Sequence, residues 1–249
     1  MRSRIITDFI NLFLRFSSLA GRFLLIFLIT KFLSIEDLGV FGIINTSIAL
    51  GVFLIGFEYH NYHTRKLLQI EFSEVPSKVR DQFGFHLVCY ILIIPILYLF
   101  FISELIPSYL FFLFALVLFL EHMGQEIYRI LLAFGNIIEG NIVLFIRSAV
   151  WVLVLLIYWM DSETVPNLNH LFLLWSFGAL ISLTLGLFWM HRNNLINFNT
   201  GAMDINWILN GIKVSKFFFI SSLSFKIVEY SDRFFIDHFL GKEEVGVFT

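Results

Sequence analysis

The sequence predicts an all-α integral membrane protein, and three observations carry that prediction. Apolar runs reach the roughly 20 residues that a helix needs to cross hydrocarbon, and they recur along the chain. Hydrophobic residues make up 58% of the sequence and charged ones 14%, a balance far from that of a soluble domain. The third observation is a segment that occurs twice. Phe32, Leu33, Glu36, Asp37, Gly39, Val40 and Phe41 return 207 positions later as Phe239, Leu240, Glu243, Glu244, Gly246, Val247 and Phe248. Each copy closes a long apolar run, turns through acids and a glycine, and opens another run. That distance is too long for a solenoid repeat, so the simplest account is duplication of a large half.

The first span is expected at 10–33. Arg15 and Arg22 interrupt it and it runs on past the small residues Ser17 to Gly21, which excludes a cleaved signal peptide. Further spans are expected at 40–57, 83–102 with a kink at Pro95, 109–134, 141–160, 170–190 and 217–239. Between the sixth and seventh, Ile205, Ile208, Leu209 and Ile212 follow helical spacing with Trp207 beside them, which predicts a short interfacial helix over 204–216. The chain thus divides into a six-helix unit at 1–190, a linker at 191–216 and the start of a second unit at 217–249. The second copy of the hairpin ends at Thr249, and the expectation is one complete half plus the beginning of another.

Lys and Arg accumulate on the cytoplasmic side of membrane helices. The amino terminus and the connections after spans two and six carry Arg2, Arg4, Arg65, Lys66, Lys78, Arg80, Arg192, Lys213 and Lys216. The other turns carry Glu36, Asp37, Glu104, Asp161, Glu163, Glu243 and Glu244, with only Lys31 and Lys242 against them. This bias places the amino terminus in the cytoplasm.

Charges within the spans mark where function is sought, because each costs on the order of 2.5–3.5 kcal/mol in a membrane helix unless it meets protein or water. Span one has Arg15 and Arg22, span five has Arg147, and span four has Glu121, His122, Gln125, Glu126 and Arg129. Span seven has Lys226, Glu229, Asp232 and Arg233, with Glu229 and Arg233 in the favourable i, i+4 order for an ion pair. Together these predict a hydrophilic cavity walled by spans one, four, five and seven. Arg15, Arg22, Arg147 and Lys226 are read as having no acid at helical spacing in their own spans, so the cavity is cation-rich and suits an anion.

A blander reading stands beside this one. Arg15, Arg129 and Arg147 can snorkel to the cytoplasmic face, whereas Arg22 lies about twelve residues into its span, where snorkelling reaches poorly. Glu126 with Arg129, and Glu229 with Arg233, can be structural pairs. His122 is either a proton shuttle beside Glu121 and Glu126 or a packing residue. His60 and His63 are spaced like helical metal ligands but read as part of an interfacial loop, and Cys89 reads as a small hydrophobe. The phenylalanine excess reads as lipid-facing. A net charge of −2 gives no reason to expect nucleic acid. No glycine-rich phosphate loop, nucleophile elbow or metal cluster is patterned, so neither an enzyme nor a cofactor is expected.

The repeated hairpin, with Asp232, Arg233, Phe234, Phe235 and Ile236 leading into its second copy, resembles the polysaccharide exporters and O-antigen flippases. These belong to the multidrug/oligosaccharidyl-lipid/polysaccharide superfamily. The resemblance covers the whole chain by span order. It implies a six-helix, MATE-like amino-terminal lobe plus the start of a second lobe, around a cationic cavity in the bacterial inner membrane. It also implies flipping of a polyprenyl-diphosphate-linked oligosaccharide, such as a lipopolysaccharide O-antigen unit, by alternating access alongside other polysaccharide-assembly membrane proteins. Arg22 matches the arginine such flippases carry in the first helix. Arg22, Arg15, Arg147, Lys226 and Arg129 would then hold the diphosphate, while Glu121, His122, Glu126, Glu229, Asp232 and Arg233 would couple or gate transport. Two rivals remain: a MATE-like drug or cation antiporter, which would use acids around its substrate, and a polymerase or glycosyltransferase, which would need a larger extramembrane loop.

Overall fold

Among the described residues, seven helical spans are each long and apolar enough to cross a membrane, so the chain is a multi-pass helical membrane protein. The structure, a computed structural model, describes residues 2–103, 105–160, 165–197 and 201–249, the side chains of 2–5 excepted. Glu104, Asp161 and Glu163, three of the acids in the basic-poor turns, lie outside the described residues. No β-strand occurs among the described residues.

Helix α1 (Arg2–Phe32) runs directly into α2 (Ile35–Gly56). The second span begins five residues earlier than its hydropathy suggests. Ser34 is the reason: its hydroxyl accepts from the Asp37 N–H at 3.0 Å and caps the helix, and Glu36 and Asp37 sit in the first turn, where the helix dipole favours them. The acidic hairpin is therefore a capped helix start. α2 is the central helix, with 72% of its apolar window buried against 22% in α1.

After α2 the backbone takes left-handed conformations at Phe57 and Glu58, which non-glycine residues seldom adopt. That turn leads into the short helix α3 (His60–Leu67), where the sequence suggested a loop. α4 (Val75–Ile102) starts well before the expected 83 and continues through Pro95. α5 (Phe111–Ala133) follows, and the fifth span comprises α6 (Ile137–Phe145), a π-helical turn (Ile146–Val150) and α7 (Trp151–Trp159). α8 (Leu168–Arg192) is the sixth span.

The interfacial helix expected over 204–216 is not a separate element. α9 (Ile205–Leu240) is one helix of 36 residues, about 54 Å long at 1.5 Å per residue. That exceeds a hydrocarbon core of roughly 30 Å, so one end of α9 lies beyond the apolar zone. Asp204 starts the helix by accepting from the Trp207 N–H at 3.0 Å. No proline interrupts α9, and Gly211 is packed beneath the Tyr59 ring.

A polar clamp ties the start of α9 to α4. Lys78 donates to Asp204 at 2.5 Å and lies over the Trp207 ring, while Arg80 donates to Asp81 and to the Gly201 and Ala202 carbonyls. The Lys78 hydrogen bond, followed by the Trp207 backbone N–H, holds the Asp204 carboxyl below its ordinary range. A depressed carboxylate stabilises the fold above about pH 4, and that contribution is lost as pH falls through its lower folded value. Asp204→Ala is expected to lose about 1 kcal/mol, the ordinary effect of removing a helix cap. Asp204→Asn should keep the cap yet flatten the acid limb of a melting-temperature profile, which measures the clamp directly.

The two hairpin copies pack against each other. α10 (Lys242–Phe248) lies along α2, and the contact is reciprocal. A β-carbon at Gly39 would sit 1.9 Å from the Lys242 carbonyl oxygen, and one at Gly246 would sit 2.2 Å from the Ile35 carbonyl oxygen. Gly39 and Gly246 are equivalent repeat positions, as are Ile35 and Lys242. Gly42 meets Thr249, its own equivalent. Such exchange of roles is the signature of a local two-fold relation, and glycine permits the close backbone approach.

Phenylalanines divide between two surroundings. Phe9, Phe13, Phe16, Phe23 and Phe27 on α1 are exposed towards the space that lipid would fill, as the composition suggested. Phe41, Phe101, Phe114 and Phe172 are instead buried in the helix core.

Candidate functional site

A cavity of about 630 Å³ opens beside α2 and is lined by residues of spans one, four, five and seven, with spans two and six contributing as well. Its position follows from two close crossings. Gly21 lets α1 approach the π-turn, since a β-carbon there would lie 2.6 Å from Ala149 Cα. This places Arg22, the next residue, against the same wall as Arg147 and Ser148. Gly124 gives the Arg147 stem room to pass α5, lying 3.2 Å from the position of its absent β-carbon.

Arg147 projects from the π-turn, a helix irregularity that recurs at functional sites. Its own carbonyl accepts from the Trp151 indole N–H at 2.8 Å. Its guanidinium donates to the Glu121 carbonyl at 2.8 Å and lies 3.4 Å from the Glu121 carboxylate. The other oxygen of that carboxylate accepts from Trp175 at 2.7 Å, and the Trp151 and Trp175 rings stack at 5.7 Å. Glu121 is thereby held by two donors from different helices.

Glu126 is fully enclosed, paired with Arg129 one turn on and bonded by Gln82 of α4 at 2.6 Å. The Glu126–Arg129 pair is the one its spacing suggests. The Glu229–Arg233 pair is not formed. Lys226 donates to Glu229 at 2.6 Å and to Tyr230 at 3.3 Å, which corrects the expectation that Lys226 has no acid at helical spacing in its span: Glu229 stands three residues on. Arg233 instead sits 5.6 Å from the Phe248 ring, contributed by α10, and its buried Nε has no acceptor. Asp232 is exposed and does not line the cavity.

Arg22 lines the cavity and makes no hydrogen bond or ion pair with any described residue. Arg15 is placed elsewhere: its Nε donates to Asn141 at 3.2 Å, and Asn141 donates on to Asn11 at 2.8 Å. Although Arg15 stands seven residues before Arg22, it does not line the cavity, which corrects its expected place there.

His122 bonds neither Glu121 nor Glu126. Its Nδ1 is 2.8 Å from the Tyr90 hydroxyl, its ring packs against His86 at 4.6 Å, and it is fully buried. Gln82, His86 and Tyr90 form a polar row at four-residue spacing on α4. No formal charge at neutral pH marks this row in the sequence, and hydropathy starts the span only at Phe83. His60 reaches the cavity from α3, where burial first and the Arg129 guanidinium second push it down to about 4. At neutral pH it therefore adds no charge, and its 3.9 Å approach to Glu58 is not an ion pair. His63 is buried, lowered to about 3 by desolvation, and accepts from Trp207 at 3.3 Å.

The arrangement leaves a membrane-embedded cavity in which Arg129, Arg147 and Lys226 each have an acid partner and Arg22 has none. No protein-family model, no curated protein and no solved structure matches the chain.

Proposed function

We propose that this protein is a flippase that moves an anionic, lipid-linked cargo, a polyprenyl-diphosphate-linked oligosaccharide, across the cytoplasmic membrane by alternating access, with its amino terminus in the cytoplasm. The observation that supports the reading is Arg22, an unpartnered guanidinium lining a cavity among membrane-spanning helices. A diphosphate cannot shed its water in hydrocarbon without replacement partners. Arginine supplies them through paired, charge-assisted hydrogen bonds. The stacked Trp151 and Trp175 offer an apolar wall beside that charge, and the lipid tail remains in the bilayer while the head group occupies the cavity. The acids lining it argue against a cation antiporter: Glu121 is already held by Arg147 and Trp175, and Glu58 accepts from Asn61 at 2.6 Å.

The test is complementation of a bacterial strain lacking its O-antigen flippase. The protein should restore surface polysaccharide, and Arg22→Ala should reduce it by about tenfold or more, the factor expected when a charged hydrogen bond of roughly 1.5–3 kcal/mol is lost. Absence of any restoration, with membrane insertion confirmed, removes the reading.

A further inference from the structure

The cavity holds a second cation with no acid partner, and it comes from the repeat-bearing end of the chain. Arg129, Arg147 and Lys226 are paired with Glu126, Glu121 and Glu229. That leaves Arg22 on α1 and Arg233 on α9. Arg233 is held in an unusual way. Its guanidinium carbon stands 5.6 Å from the centre of the Phe248 ring, and its buried Nε–H has no acceptor. A ring can steady a flat guanidinium while leaving its in-plane N–H groups free. The Nε is closed off from the cavity, so the terminal N–H groups of the guanidinium, which bond no described residue, are the ones an anion in the cavity meets.

We propose that Arg233 is a second anion-binding residue of the cavity, and that Arg22 and Arg233 take the two phosphate groups of one diphosphate. The proposal rests on the reading of this cavity as the seat of an anionic cargo. It moves Arg233 from a gating pair with Glu229 to the cargo itself, because Lys226 has taken Glu229. It also makes the cargo a bridge. Arg22 belongs to the six-span unit and Arg233 to α9, with Phe248 of α10 beneath it, so an anion held by both joins the two parts of the chain. A planar fork and a supporting ring are both required, which is why lysine is not an equivalent residue at this position.

The experiment is calorimetric titration of the purified protein in lipid nanodiscs with inorganic pyrophosphate and, separately, farnesyl diphosphate. Arg22→Gln and Arg233→Gln should each weaken binding of both probes at least about tenfold, whereas Lys213→Gln, a charge control on α9 outside the cavity lining, should not. The double variant should lose less than the product of the two single losses, as expected when both groups hold one ligand. Tighter binding of the farnesyl probe places the diphosphate on a lipid, and equal binding places it on a soluble molecule. Arg233→Lys and Phe248→Leu carry the test if Arg233→Gln does not fold, and each should give a smaller but measurable weakening. Binding lost in Arg22→Gln but unchanged in the Arg233 and Phe248 variants overturns this inference and leaves the proposed function standing. No binding of either probe by the unmodified protein overturns both.

Discussion

Glu126→Ala is expected to destabilise the protein by about 3 kcal/mol, because it leaves the buried Gln82 amide and the partly buried Arg129 charge without their partner. Glu126 accepts from both Gln82 and Arg129 and has 1% of its surface exposed, so water cannot readily replace it. The damage comes from the groups left behind more than from the loss of an attraction. Arg129→Ala in the same background should therefore recover part of the loss, and a double-mutant cycle measures that coupling. Thermal unfolding of the detergent-solubilised protein is a suitable readout. A Glu126→Ala protein as stable as the unmodified one would show that the Gln82–Glu126 bond does not hold α4 to α5.

The second large effect is expected at the paired glycines. Gly39→Val and Gly246→Val each drive a side chain into the backbone carbonyl of the opposing copy, and backbone cannot swing aside as a flexible side chain can. Overpacking of this kind costs about 1–3 kcal/mol, and here the strain falls on the α2–α10 contact. Local opening should make tryptic cleavage after Lys242 about tenfold faster, since 1.4 kcal/mol is a factor of ten in the open population. Gly135→Ala serves as the contrast, with no atom near its absent β-carbon but a left-handed backbone. It should leave cleavage after Lys242 unchanged. Equal cleavage in all three variants would mean that the two copies do not depend on each other.

Seven spans and the presence of charges among them were legible because hydropathy and charge are local properties of the chain. The limits of the helices were less so. Hydropathy reports the solvent around a segment, and a capped, proline-free helix such as α9 continues after its solvent has changed. Partners within one helix were partly legible, as Glu126 with Arg129 shows. Glu229 had two candidates at helical spacing, and the choice fell to Lys226 while Arg233 went to Phe248 from another helix. Partners across helices were not legible at all. Nothing in the order of residues says that Arg147 meets Glu121, that Arg15 meets Asn141, or that Gln82 reaches Glu126; those pairings are set by which faces pack together.

The reciprocal contact between α2 and α10 has a consequence in mass action. Its two sides belong to one chain, so they meet at an effective concentration in the millimolar range rather than at the concentration of the protein in the membrane. An association with a dissociation constant near 1 mM, worth only about 4 kcal/mol, is then enough to keep the copies together roughly half the time. A joint this weak between separate molecules would be negligible. Within one chain, an affinity of that size is a balance that a single ligand contact can tip.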